Sequence, residues 1–177
     1  MNTQSDTYLL QNDAARRLYH RVKGLPIVDF HCHLSPKEMV EDRPYDNIGE
    51  MWLAGDHYKW RLMRAAGVEE RFVTGDAPWR EKFQKYAETL CLCAGNPIYQ
   101  WSHMELSRYF GIDTVLNGQT AEEIWQKAGE VIRQKRLSPK QLIRQSNVAF
   151  LATTDDIADP LPYHERLAAD ASFPAKV

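Results

Sequence analysis

Asp29-Phe30-His31-Cys32-His33 is the stretch whose residue types and spacing are best suited to chemistry. In an extended backbone successive side chains alternate between faces, so Asp29, His31 and His33 fall on one side and Phe30 and Cys32 on the other. The two imidazoles then stand about 7 Å apart at the backbone and can turn their nitrogens onto one ion. Neutral imidazole suits zinc or a similar divalent metal at about 2.0–2.1 Å. His31 and His33 are therefore candidate metal ligands. Two ligands do not complete a coordination shell, so the others must come from elsewhere.

A lone His-x-His is a weak signal in a chain with six histidines, and its placement is what strengthens it. Leu25 to Leu34, LPIVDFHCHL, is rich in β-branched and aromatic residues and reads as a strand. Ser35-Pro36-Lys37-Glu38 follows as a capping box with proline at the first helical position. The pair thus lies at the C-terminal end of a strand that runs into a helix, where barrel enzymes carry their active sites.

The elements that must position it follow from periodicity. Asn12 to Val22 repeats apolar residues at helical spacing. Between about Asp46 and Ser146 there is no convincing strand, only helical patterns broken by glycine, proline and asparagine. These include Asp56–Ala66 ending at Gly67, Ala77–Leu92, Pro97–Phe110, and a helix behind a second capping box at Thr120-Ala121-Glu122-Glu123. Strand character returns at Asn147–Thr153, followed by a turn at Thr154-Asp155-Asp156, a helix near Pro162–Ala169 and an extended start at Phe173–Val177. Parallel strands need neighbours and cover on both faces, and a closed eight-stranded barrel takes about 250 residues. The expected fold is α/β, with a first segment (1–34) of helix and strand, a helical insertion (35–146), and a second strand, helix and nascent third strand (147–177).

Composition narrows the partners. Of 177 residues, 44% are hydrophobic and 26% charged, which is globular rather than disordered. Lys plus Arg number 22 against 24 Asp plus Glu, so no basic field exists to hold nucleic acid or an anionic membrane. No apolar run approaches the roughly 18 residues of a membrane span. The polar leader over residues 1–13 and three unframed cysteines, Cys32, Cys91 and Cys93, fit a reducing cytoplasm. Small solutes are the expected partners.

The blocks DFHCHLSP, GDHYKWRLMRAAGV, GNPIYQWSHMEL, RYFGI, TAEEIW and TTDD occur here in the order seen in uronate (glucuronate) isomerases of the amidohydrolase superfamily. The chain resembles that family from about Leu9 to Val177. The resemblance implies the N-terminal part of a metal-dependent (β/α)₈ TIM barrel, with His31 and His33 as metal ligands and His57 and Tyr58 as a pair facing the substrate. It also implies aldose–ketose isomerisation of hexuronates, a divalent metal such as zinc, and a homo-oligomer when full length. Further ligands and the substrate-binding arginines of the family would lie beyond Val177, so the 177 residues alone are expected to be inactive.

Two other readings compete. A strand-borne His-x-His with a divalent metal serves hydrolysis of amides and esters equally well. A non-catalytic helical interaction module would make the histidines structural. Taken without the resemblance, His57 and Tyr58 are an ordinary polar helix start. Cys91 and Cys93 read as buried thiols, His103 and His164 as surface or packing residues, and the five tryptophans as the core of the insertion. Thr153, Thr154, Asp155 and Asp156 are turn and cap residues on the presumed active face.

Overall fold

The computed structural model describes residues 9–177, so residues 1–8 of the polar leader lie outside the described region. In chain order it comprises α1 (Asp13–Val22), β1 (Ile27–Cys32), α2 (Pro36–Glu41), α3 (Ile48–Leu53), α4 (His57–Ala65) and a 3₁₀ turn (Glu70–Phe72). There follow α5 (Trp79–Leu90), α6 (Pro97–Glu105), a π-helical turn (Leu106–Phe110), α7 (Ala121–Lys135), α8 (Pro139–Gln145), β2 (Val148–Thr153) and α9 (Pro162–Ala169). The chain divides into two compact units: Leu10–Pro44 with Leu137–Val177, and Tyr45–Arg136.

The first unit carries the strands. β1 and β2 pair in parallel, Ile27 opposite Val148, Val28 opposite Phe150, Asp29 opposite Leu151 and Cys32 opposite Thr153. The ladder is irregular between Asp29 and Cys32, so strict alternation does not run through the His-x-His stretch. Cys32 is buried while Phe30, two residues earlier, is 86% exposed. Cys32, Met39, Ile143, Leu151, Leu167 and Phe173 form the core. The extended start expected at Phe173–Val177 is reduced to one parallel bridge, where the Leu151 N–H donates to the Lys176 carbonyl at 2.8 Å and the Lys176 N–H to Ala149 at 2.9 Å.

Local chemistry sets the helix starts. Asn12 Oδ1 accepts from the Ala15 N–H, Ser35 Oγ from Glu38 and Ser138 Oγ from Gln141, with Pro36 and Pro139 opening their helices. The periodicity assigned 35–146 to one insertion, whereas α2 and α8 pack in the strand unit, α2 against α8 and α9, and α8 against β2. Helical period marks an amphipathic face but does not say which core receives it.

The second unit is all helical. Trp52 meets Phe83 and Tyr86 at ring centroid distances of 6.1 and 6.0 Å, and Phe83 meets Trp125 at 5.6 Å. Each fully buried large apolar side chain contributes about 1.5–3 kcal/mol. The tryptophans are not simply core: Trp52 is buried, Trp60, Trp79 and Trp125 are half-buried, and Trp101 is exposed. Gly67 ends the segment after α4 at φ +79° and Gly111 ends the π turn at φ +68°, both in the left-handed region.

The capping box at Thr120 does not form. Its hydroxyl donates back to the Val115 carbonyl at 2.6 Å and accepts from the Asn117 N–H at 3.0 Å, and no side-chain cap closes α7. Cys91, expected to be buried, is exposed, and Cys93 is buried. No helix among the described residues is long and apolar enough to cross a membrane.

Candidate functional site

His31 is the penultimate residue of β1 and His33 lies just past the strand end. Their rings meet edge to face, with centroids 5.0 Å apart and planes at 80°. The two Nε2 atoms are 3.0 Å apart. Two bonds of about 2.05 Å to one ion would subtend roughly 95° at that separation, within the range a four- or five-coordinate zinc accepts. The donor set therefore fits a divalent metal as two of its ligands. Without a cation, one Nε2 must carry the hydrogen, since two lone pairs at this distance repel. Asp29 Oδ1 accepts from the His31 N–H at 3.3 Å, which restrains the backbone at the end of the strand. Among the described residues no group of three or more His, Cys, Asp or Glu is placed to hold a metal.

The end of β2 lies beside this site. Thr154 Oγ1 donates to the Cys32 carbonyl at 3.1 Å, fastening the two strand ends together. Thr153 Oγ1 donates to Asp155 Oδ2 at 2.6 Å and lies 2.7 Å from His164 Nε2. With the Thr153 proton given to Asp155, the His164 Nε2–H is the donor to Thr153, a tautomer assigned from the network. His164 was expected as a surface or packing residue, and instead belongs to this strand-end cluster. The signal for it was its place in the first turn of the helix that follows β2. Asp156 Oδ1 accepts from the Ala158 N–H at 2.8 Å, an ordinary turn role.

His57 and Tyr58 open α4 in the helical unit. Asp56 caps the helix, Oδ1 accepting from the Tyr58 N–H at 2.9 Å and the Lys59 N–H at 3.1 Å. The two rings stack obliquely, centroids 4.3 Å apart at 31°. Tyr58 is 51% exposed, with the Arg61 guanidinium 5.6 Å from its ring centroid. Burial pushes the Asp56 carboxyl up, but the Lys59 charge and the hydrogen bonds from Lys59 and Tyr58 outweigh it and hold the group below the usual carboxylate range. Glu105, at the end of α6, is pushed up by burial against the opposing pull of Lys59, with Asp56 adding to the rise.

His103 is wholly buried, its Nδ1 2.6 Å from the Tyr99 carbonyl and its Nε2 accepting from the Leu116 N–H at 2.9 Å. Both nitrogens are committed to the scaffold, so it is a packing residue.

A parallel strand pair, with two imidazoles at the end of β1 and a hydroxyl, carboxylate and imidazole cluster at the end of β2, defines an α/β chain. The glucuronate isomerase family model matches residues 1–177, and the chain belongs to that family. It is 52% identical over 173 residues to the uronate isomerase of Caldanaerobacter subterraneus subsp. tengcongensis, covering 97% of this chain and 37% of that one. The Geobacillus thermodenitrificans uronate isomerase is 51% identical over the same shares. The crystal structure of Thermotoga maritima uronate isomerase superposes with a TM-score of 0.90 at 41% identity, over 97% of this chain and 38% of that one. The 177 residues thus span about 37% of the length of the curated relatives.

Proposed function

We propose that the complete protein carrying this chain is a uronate isomerase that interconverts D-glucuronate with D-fructuronate, and D-galacturonate with D-tagaturonate, in hexuronate breakdown. The reaction moves a proton from C2 to C1 and a hydroxyl proton from O2 to O1, through an enediolate. Tyr58 is the proton carrier between the carbons and His57 binds the sugar beside it. His31 and His33 hold the divalent metal, zinc, which when bound would polarise the sugar oxygens.

The fold of the complete protein in this reading is a metal-dependent (β/α)₈ barrel of the amidohydrolase superfamily, with a helical insertion after its first strand. It is cytoplasmic and homo-oligomeric, and its partner is the hexuronate. The observation that carries the reading is the 3.0 Å Nε2 separation of His31 and His33 at a strand end, in a chain of the glucuronate isomerase family. Incubating the complete protein with glucuronate and following the ketose product tests it. Hydrolysis of amide or ester substrates with no ketose formed would refute it.

A further inference from the structure

We propose that the half-buried Asp56 and the buried Lys59 form a clamp that orients the first turn of α4, making them positioning residues for the His57–Tyr58 pair; this rests on the isomerase reading above. Lysine is among the residues least often buried unless paired. Lys59 is only 8% exposed, and its Nζ lies 2.6 Å from Asp56 Oδ2 and 5.7 Å from the centroid of the Trp52 ring.

The Asp56 carboxylate therefore does two things at once. Oδ1 caps the Tyr58 and Lys59 N–H groups, while Oδ2 holds the amine of the residue one turn along. The ring of Trp60 is fixed independently, Nε1 donating to the Leu53 carbonyl at 2.7 Å. Residues 56, 59 and 60 are thus tied into the helical unit, and the exposed Tyr58 ring is presented from a first turn held at several points. A helix start capped by an unpaired aspartate would have one restraint where this one has two. Reacting groups tolerate little displacement, and about 1 Å of misplacement can cost 10²-fold in rate.

The discriminating variant is the pair Asp56→Asn with Lys59→Met. Asparagine caps as well as aspartate, and replacing an ion pair at least partly withdrawn from water by neutral groups of similar shape is often close to neutral in stability. A role in stability alone therefore predicts unchanged turnover. The clamp predicts about 10-fold or greater loss of kcat in the complete protein, with at least partial recovery in Lys59→Arg relative to Lys59→Met. It also predicts about 10-fold faster amide exchange at Tyr58 and Lys59. Wild-type kcat in the double variant, or unchanged exchange at those two amides, would overturn the clamp. Absence of isomerisation in the wild-type complete protein would instead refute the isomerase reading, and the exchange measurement would still report on the clamp. Should the double variant not fold, Asp56→Asn alone retains the cap and carries the same two readouts.

Discussion

The imidazoles of His31 and His33 present their Nε2 atoms to one another at 3.0 Å, although the ladder beneath them is irregular and His33 lies outside the strand. Convergence comes from the spacing of the two residues at a strand end and survives the loss of strict alternation. In the complete protein, His31→Ala and His33→Ala should each lower bound metal by 10-fold or more, on the order expected when one of three or four ligands is lost. Cys32→Ala should leave metal content unchanged, since Cys32 is in the core. Elemental analysis of the purified variants decides this, and unchanged metal in both histidine variants would remove the site.

Tyr58→Phe in the complete protein should keep the fold and lower turnover by about 10² if the phenol carries the proton. Half of the side chain is already in solvent, so little packing is lost. Steady-state kinetics at saturating hexuronate read the effect; a change in KM alone would assign Tyr58 to binding.

His103 links stability to pH. Burial pushes its imidazole below the usual histidine range, with the Tyr99 carbonyl pulling weakly the other way. Because the folded value lies below the unfolded one of about 6.5, the unfolded chain takes up the proton first. The stability involved is complete above about pH 6.5 and is lost as the pH falls towards the lower folded value. His103→Leu strands the Leu116 N–H and should cost about 1–3 kcal/mol at pH 7. It should also flatten the fall in melting temperature between about pH 7 and 5.5. Equal slopes in wild type and variant would show that His103 does not contribute.

Gly49 in α3 packs where no side chain fits. A Cβ there would lie 2.7 Å from the Trp79 carbonyl oxygen and 3.0 Å from Trp125 Cζ3. The first of these is backbone and cannot swing away, so Gly49→Ala should destabilise by about 1–3 kcal/mol. Thermal denaturation measures it, and an unchanged midpoint would mean that α3 and α5 separate freely.

The 177-residue polypeptide by itself should show no hexuronate turnover and bind zinc weakly, because its described residues bring only two ligands together. Ile27, Val28 and Phe30 are exposed along β1, which favours association through the strands. Size-exclusion chromatography over a concentration series, with zinc titration, checks both. A monomeric, zinc-loaded, active protein would contradict the expectation.

The pairing of His31 with His33 was more legible in the sequence than the architecture. Asp29-Phe30-His31-Cys32-His33 declares itself through residue type, and Ser35 acts as the cap that its capping box predicts. The Thr120 cap failed because a nearer competitor, the Val115–Asn117 loop, takes its hydroxyl, and the pattern alone does not rank the two. Pro97–Phe110 reads as one helix, but its last turn is a π turn, whose extra residue leaves no periodic mark over so short a span. The His164 cluster is hidden in the sequence for a different reason: its partners Thr153 and Asp155 precede its helix, and only the chain reversal after β2 brings them together.

The bond from Thr154 to the Cys32 carbonyl joins residues 122 apart in the chain, and that span sets an order of assembly. Closing so long a loop costs entropy before any contact rewards it, whereas the helices of Tyr45–Arg136 form from near neighbours. The helical unit should therefore acquire structure first, shortening the effective gap that β1 must bridge to find β2. Far-ultraviolet ellipticity would recover in a fast phase and the β1–β2 amides would gain protection only in a later one. The two histidines, at the end of β1, would then reach their working distance among the last events of folding.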